Sequence, residues 1–162
     1  MSDERQVDLL VIGGGAAGMT AALTAAVLGL DVLLVEKTDV VGGTSARSAG
    51  SVWVPNSRHS PPGRDSPDNA LRYLRAVLGN RFDETRVRAF LAAAPEMVAF
   101  LEDNTAVAFR AYAHHPDYRA TLEGATLSEV TAESSCVTTL FSRARRLRRR
   151  DSYTEYVSGF WQ

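Results

Sequence analysis

The chain has 162 residues, 45% hydrophobic and 23% charged, with a formal net charge of −1. That is enough chain for one globular, soluble domain of ordinary size. A single cysteine, Cys136, excludes an internal disulfide and any cysteine-based metal cluster, and the polar, acidic residues 1–8 hold no apolar signal segment, so a cytoplasmic protein is expected.

Residues 7–12 (VDLLVI) are almost wholly apolar, as expected of a parallel strand buried on both faces. Gly13, Gly15 and Gly18 then give G-x-G-x-x-G, and Gly14 adds a fourth glycine. In this pattern the first glycine permits a tight turn, the second lets the backbone approach a pyrophosphate, and the third lets a helix pack on the strand. A helix is expected from about residue 16 to 28, with Ala16 and Ala17 in its first turn. The unpaired N–H groups and partial positive charge of that turn suit a pyrophosphate. Ala22 and Ala26 share one face, small enough for close contact with a sheet, and Gly29 sits where a C′ glycine belongs. A second strand over residues 31–35 ends in Glu36, 18 residues after Gly18. That is close to the spacing of the acid that hydrogen-bonds a ribose, and a carboxylate there favours a free 2′-OH over a 2′-phosphate. The pattern points to dinucleotide binding by an α/β, Rossmann-type parallel sheet. The bland alternative is a glycine-rich turn with no ligand. The helix is too short and too glycine-flanked to span a membrane.

A short connection begins at Lys37. The stretch GGTSARSAGSVWVPNS then occupies residues 42–57. Gly42 and Gly43 permit close backbone approach to a ligand, Thr44, Ser45 and Ser48 supply hydroxyls, and Ala49 and Gly50 close a second tight step. A flexible loop would read the same way. Its position directly after the ribose acid, where the chain should return past a cofactor, favours a binding segment.

Residues 11–57 resemble the FAD-binding dehydrogenases of the fumarate reductase and 3-ketosteroid Δ1-dehydrogenase group. The resemblance rests on the VIGGGAAG turn, Glu36, the Gly42-Gly43-Thr44-Ser45 segment and the Ser48-Ala49-Gly50 step. The Trp53-Val54-Pro55-Asn56 step is similar to the ketosteroid dehydrogenase branch, as is the APEMVAFLE run at residues 94–102. The resemblance implies that residues 42–50 line the pyrophosphate and the flavin ring. Some relatives attach flavin through a histidine in this segment; none lies within residues 42–57, so noncovalent FAD is implied. The first turn alone leaves NAD open, and the 42–50 segment argues for FAD.

Residues 58–67 read as a surface loop rich in Pro, Gly and Ser. Asp68 is the expected N-cap of a helix carrying Ala70, Leu71, Leu74, Val77 and Leu78 at helical spacing up to Gly79. Asp83 is expected to cap the next helix, with Val87, Phe90, Leu91, Ala94, Val98 and Leu101 as its apolar face, and Pro95 should kink or split it. Residues 107–109 suggest a strand. His114 and His115 have no partner at ligand spacing, so no metal site is expected. Asp117-Tyr118 matches an aspartate-tyrosine step of the resembling family, which implies that Tyr118 faces the substrate and assists hydride and proton removal. A buried tyrosine with no catalytic role fits the position equally well, because residues 119–121 depart from the family's continuation.

Past Ser128 the sequence shows no such resemblance. Residues 129–162 hold six arginines, all within residues 143–150, against four acids. A nucleic-acid or anionic-surface patch, a solvated tail, and a shortened or frame-shifted ending are the three readings, and the last is favoured. The expected division is therefore residues 1–57 as the first part of an FAD-binding domain, 58–128 as a mainly helical segment, and 129–162 as an atypical basic tail. The resemblance implies a flavin-dependent dehydrogenase fragment taking a small-molecule, steroid-like substrate, too short for activity alone. The alternatives are a non-catalytic FAD-binding remnant and an NAD-binding module.

Overall fold

The computed structural model describes residues 5–48, 50–60, 65–111, 119, 121–125, 129–132, 148–150 and 153–157. Two compact units emerge. One contains residues 1–50, 104–107 and 134–162, the other residues 51–103 and 108–133.

The first unit opens with strand β1 (Leu9–Ile12), helix α1 (Ala16–Val27) and strand β2 (Val32–Glu36). β1 and β2 pair in parallel, with Leu9 opposite Val32 and Ile12 opposite Val35. This is the expected β-α-β unit of an α/β fold. α1 buries Met19, Ala22, Leu23 and Ala25, while Ala26 is only half-buried. The helix ends in a Schellman motif. The Leu30 amide donates to the Ala25 carbonyl at 3.1 Å, and Gly29, at φ +86°, donates to the Ala26 carbonyl at 3.0 Å.

Two features of this sheet depart from the sequence reading. β1 is covered on one face only: Val11 is buried, but Leu10 is 52% and Ile12 81% exposed. α1 lies on the Val11 face, and β1 ends the sheet order, so the apolar run does not translate into burial on both sides. The second feature lies in the basic tail. Strands β6 (Arg148–Arg150) and β7 (Tyr153–Val157) form there, giving the order β1-β2-β7-β6. β7 runs antiparallel to β2, placing Tyr156 opposite Leu34 and Thr154 opposite Glu36. A hydrogen-bonding edge of β2 is thus satisfied by residues without a strong apolar pattern. Backbone pairing does not require one.

In the second unit, strands β3 (Ser51–Trp53), β4 (Phe109–Ala111) and β5 (Glu129–Ala132) form an antiparallel sheet in the order β3-β5-β4. Helix α2 (Pro67–Leu78) starts two residues earlier than an Asp68 cap would require. Ser66 is the N-cap, its hydroxyl accepting from the Asn69 amide at 3.1 Å, with Pro67 in the first helical position. Asp68 falls in the first turn, where its charge complements the helix dipole. Helix α3 (Glu84–Asn104) is capped as expected by Asp83, which accepts from the Arg86 amide at 3.1 Å. It continues through Pro95 rather than splitting. Proline removes one N–H from the ladder, while the buried side chains on either side, Ala94 and Val98, pack with Val54 in the unit's core. Phe90 is not in that core; it is 42% exposed and stacks on Trp53 at 6.2 Å between ring centroids.

No helix among the described residues is long and apolar enough to cross a membrane.

Candidate cofactor-binding site

The glycine turn between β1 and α1 has the geometry its spacing requires. Gly13 adopts φ +105°, a backbone state that side chains rarely tolerate. A Cβ on Gly18 would fall on the Gly13 carbonyl oxygen and reach the Val11 side chain at 3.4 Å, so the helix start can approach β1 only with glycine there. Gly15 is different. A Cβ at that position would meet no atom of the described residues within 4 Å. Gly15 is also the N-cap of α1, with no side-chain cap bond and no acid in the first turn. The amides of the first helical turn, from Ala16 and Ala17 onward, are therefore not engaged by a capping side chain or answered by a local acid.

Glu36 closes the turn from below. Only 7% of the residue is exposed. Its Oε2 accepts from the Gly14 amide at 2.7 Å, and its Oε1 accepts from the Thr38 amide at 3.0 Å and the Thr38 hydroxyl at 3.1 Å. The Gly14 hydrogen bond is the main cause of a carboxyl held below the ordinary glutamate range; burial pushes the other way, and the Thr38 and Lys37 contacts add to the lowering. Lys37 itself is exposed.

The second glycine segment docks on the first. The Gly42 amide donates to the Gly14 carbonyl at 2.6 Å, and Gly15 and Gly42 form a single parallel bridge. A Cβ on Gly43 would lie 3.4 Å from Gly15 Cα, and one on Gly14 would press to 2.8 Å from Val41 Cγ1. Beyond this contact the loop makes a short 3-10 turn over Ser45–Arg47. The Ser48 hydroxyl donates to the Ser45 carbonyl at 2.7 Å and accepts from the Gly50 amide at 3.1 Å. Thr44 and Ser48 are exposed. Of the residues singled out in the sequence, Gly13, Gly15, Gly18, Glu36, Gly42 and Gly43 thus converge on one place, with Ala16 and Ala17 at its helical side and Thr44, Ser45, Ser48 and Gly50 in the adjoining loop. Ala49 and Tyr118 lie outside the described residues.

Sequence reasoning missed Thr38 and Val41. Both stand in the connection between two motifs. A hydroxyl two residues after the acid and a β-branched residue before Gly42-Gly43 were the signals available. Among the described residues, no group of three or more His, Cys, Asp or Glu side chains is arranged to hold a metal.

The arrangement can accept an extended anionic ligand: a pyrophosphate over Gly15 and the α1 amides, and a diol at the Glu36 carboxylate. Comparison with known proteins gives the same class of ligand. Residues 8–155 match the family described as FAD binding domain, which carries the match past Ser128 and through most of β7. A 3-oxosteroid 1-dehydrogenase of Mycolicibacterium smegmatis is 42% identical over 99 residues, covering 60% of this chain and 17% of that protein. A 4-oxocyclohex-2-ene-1-carboxylate 5-dehydrogenase of Sinomonas cyclohexanicum is 42% identical over 120 residues, 74% of this chain and 20% of its own length. The crystal structure of a 3-ketosteroid delta1-dehydrogenase from Sterolibacterium denitrificans, in complex with 1,4-androstadiene-3,17-dione, superposes with a TM-score of 0.69 at 40% identity, covering 78% of this chain and 23% of that one. The chain therefore spans about a fifth of the length of these relatives. The β-α-β unit, the interlocked glycine segments and a family match over most of its length agree: this chain belongs to the FAD-binding domain family, and its cofactor is FAD.

Proposed function

We propose that this chain supplies the adenosine-diphosphate end of the FAD site in a flavin-dependent dehydrogenase acting on a small cyclic ketone, steroid-like in shape. The observation that carries the reading is the interlock of Gly14 with both Glu36 and Gly42, which builds a rigid cradle around the open side of Gly15. In this reading Gly13, Gly15 and Gly18, with the amides of Ala16 and Ala17, hold the pyrophosphate. Glu36 accepts from the adenosine ribose hydroxyls, with Lys37 at the rim. Gly42, Gly43, Thr44, Ser45, Ser48, Ala49 and Gly50 continue the wall toward the flavin.

When bound, FAD supplies a two-electron acceptor for a hydride. The chain's own contribution is binding and orientation. The helix dipole and the first-turn amides of α1, which no side chain caps, favour the anionic pyrophosphate. A buried carboxylate held ionised at Glu36 accepts hydroxyl hydrogen bonds and repels a 2′-phosphate, which selects against NADP-type ligands. The ketone substrate is supported by the names of the relatives, one a 3-oxosteroid and one a 4-oxocyclohexene-carboxylate dehydrogenase. Tyr118 is proposed to touch that substrate, on the resemblance of the Asp117-Tyr118 step alone. A cytoplasmic setting is part of the same reading, supported by a composition with one cysteine and hence no disulfide framework.

The test is a competitive titration of the purified chain with FAD, NAD and NADP, followed by flavin fluorescence. FAD is expected to bind most tightly, and tighter binding of either nicotinamide cofactor would overturn the assignment.

A further inference from the structure

We propose that Thr38 is a positioning residue for the cofactor: its amide and hydroxyl hold the Glu36 carboxylate in the orientation that receives the adenosine ribose. This rests on the reading of Glu36 as the ribose acceptor. The geometry is a two-sided clamp. Gly14 holds Oε2 through its amide at 2.7 Å, and Thr38 holds Oε1 through its amide at 3.0 Å and its hydroxyl at 3.1 Å. Without the Thr38 hydroxyl, Oε1 would be held by the amide alone, with one restraint on its orientation in place of two.

A carboxylate has about four lone-pair sites, so these contacts leave capacity for a ribose hydroxyl. Thr38 Oγ1 also lies 2.7 Å from the Val40 carbonyl. One hydroxyl proton serves either the carboxylate or that carbonyl. The Val40 contact ties the hydroxyl to the chain entering Val41 and Gly42, and the Gly42 amide returns to the Gly14 carbonyl at 2.6 Å. The amide stays on Oε1 in either case, and the hydroxyl alternates between the carboxylate and the chain that leads to Gly42. Its β-branched side chain has restricted χ1 freedom, which suits a fixed donor.

The experiment compares Thr38→Val, which keeps the β-branch and the amide but removes the hydroxyl, with Thr38→Ser, which restores it. Two quantities are measured: the FAD dissociation constant, and the titration of the Glu36 side-chain carboxyl by 13C NMR in protein without FAD. Thr38→Val should raise the dissociation constant about three- to ten-fold, the range of one net hydrogen bond, and move the Glu36 titration to higher pH, because a hydrogen bond to the ionised form is lost. Thr38→Ser should stay within about two-fold of the unsubstituted protein on affinity. Unchanged affinity and titration in Thr38→Val overturn the proposal. So does a Thr38→Ser as weak as Thr38→Val. Weaker FAD binding with an unmoved Glu36 titration overturns it as well, since Thr38 would then act on the fold alone. If Thr38→Val does not fold, Thr38→Ala, which asks nothing of the packing, is read by the same two measurements. Absence of FAD binding in the unsubstituted protein would sink the cofactor reading, whereas the Glu36 titration in cofactor-free protein separately decides whether Thr38 governs that carboxylate.

Discussion

Glu36 and Gly14 stand 22 positions apart in the chain and meet through a 2.7 Å hydrogen bond from the Gly14 amide to the Glu36 carboxylate. The residue whose spacing suggests a ribose contact is therefore also the residue that secures the turn over which the pyrophosphate would lie.

Replacing Glu36 should accordingly show two effects. Glu36→Ala leaves the buried Gly14 amide without its acceptor, a loss of about 1–3 kcal/mol of stability. It also removes a charged acceptor from the ribose, which should weaken FAD binding about ten- to a hundred-fold. Urea denaturation of the cofactor-free chain and an FAD titration read the two separately. A variant with unaltered stability would show that the turn stands without the carboxylate.

Gly15 and Gly18 should separate fold from cofactor. Gly15→Val adds a Cβ with no atom of the described residues within 4 Å, so the α/β circular-dichroism spectrum should persist while FAD binding is lost. Gly18→Ala drives a methyl into the Gly13 carbonyl, which should destabilise the chain by about 1–3 kcal/mol or more, whatever the cofactor. Yellow colour retained by Gly15→Val through gel filtration would count against the pyrophosphate assignment.

Acid should weaken the first unit through Glu36. Its carboxyl titrates below the ordinary value of 4.5 in the folded chain, chiefly because of the Gly14 amide. A group whose folded value is depressed stabilises the fold above its unfolded value and loses that contribution as pH falls through the folded one. The denaturation midpoint should thus decline below about pH 4.5, and Glu36→Gln should flatten part of that decline. Parallel pH profiles for the two proteins would remove Glu36 from acid sensitivity.

Ser66, rather than Asp68, should govern the start of α2. Ser66→Ala removes the acceptor for the Asn69 amide and should cost about 1 kcal/mol. Asp68→Ala removes only a favourable charge in the first turn and should cost less. The order of the two midpoints in urea decides the cap.

Much of the site was legible in sequence because its parts are local chemistry. A run of apolar residues, glycines at fixed offsets, Gly29 after the helix and an acid at the end of β2 each act over a turn or two. The β-α-β unit follows from them, with Glu36 at the end of the strand beside the glycine turn. Residues 42–50 could be placed beside the turn because the chain has little choice on leaving β2. Tertiary structure alone decided the rest. That Glu36 holds Gly14 and Thr38 depends on a carboxylate turning inward, which no spacing reveals. That β7 pairs antiparallel with β2 depends on an edge needing partners for its N–H and C=O groups, and a backbone edge accepts a strand whatever its side chains. That Leu10 and Ile12 stay exposed while Val11 is buried depends on which face α1 covers. The sequence determined where the strand, the glycine turn, the helix and the acid fall, since those signals are written in neighbouring residues; only the folded chain decided which polar groups hold one another, because a hydrogen bond between distant residues is set by the packing that brings them within about 3 Å of each other.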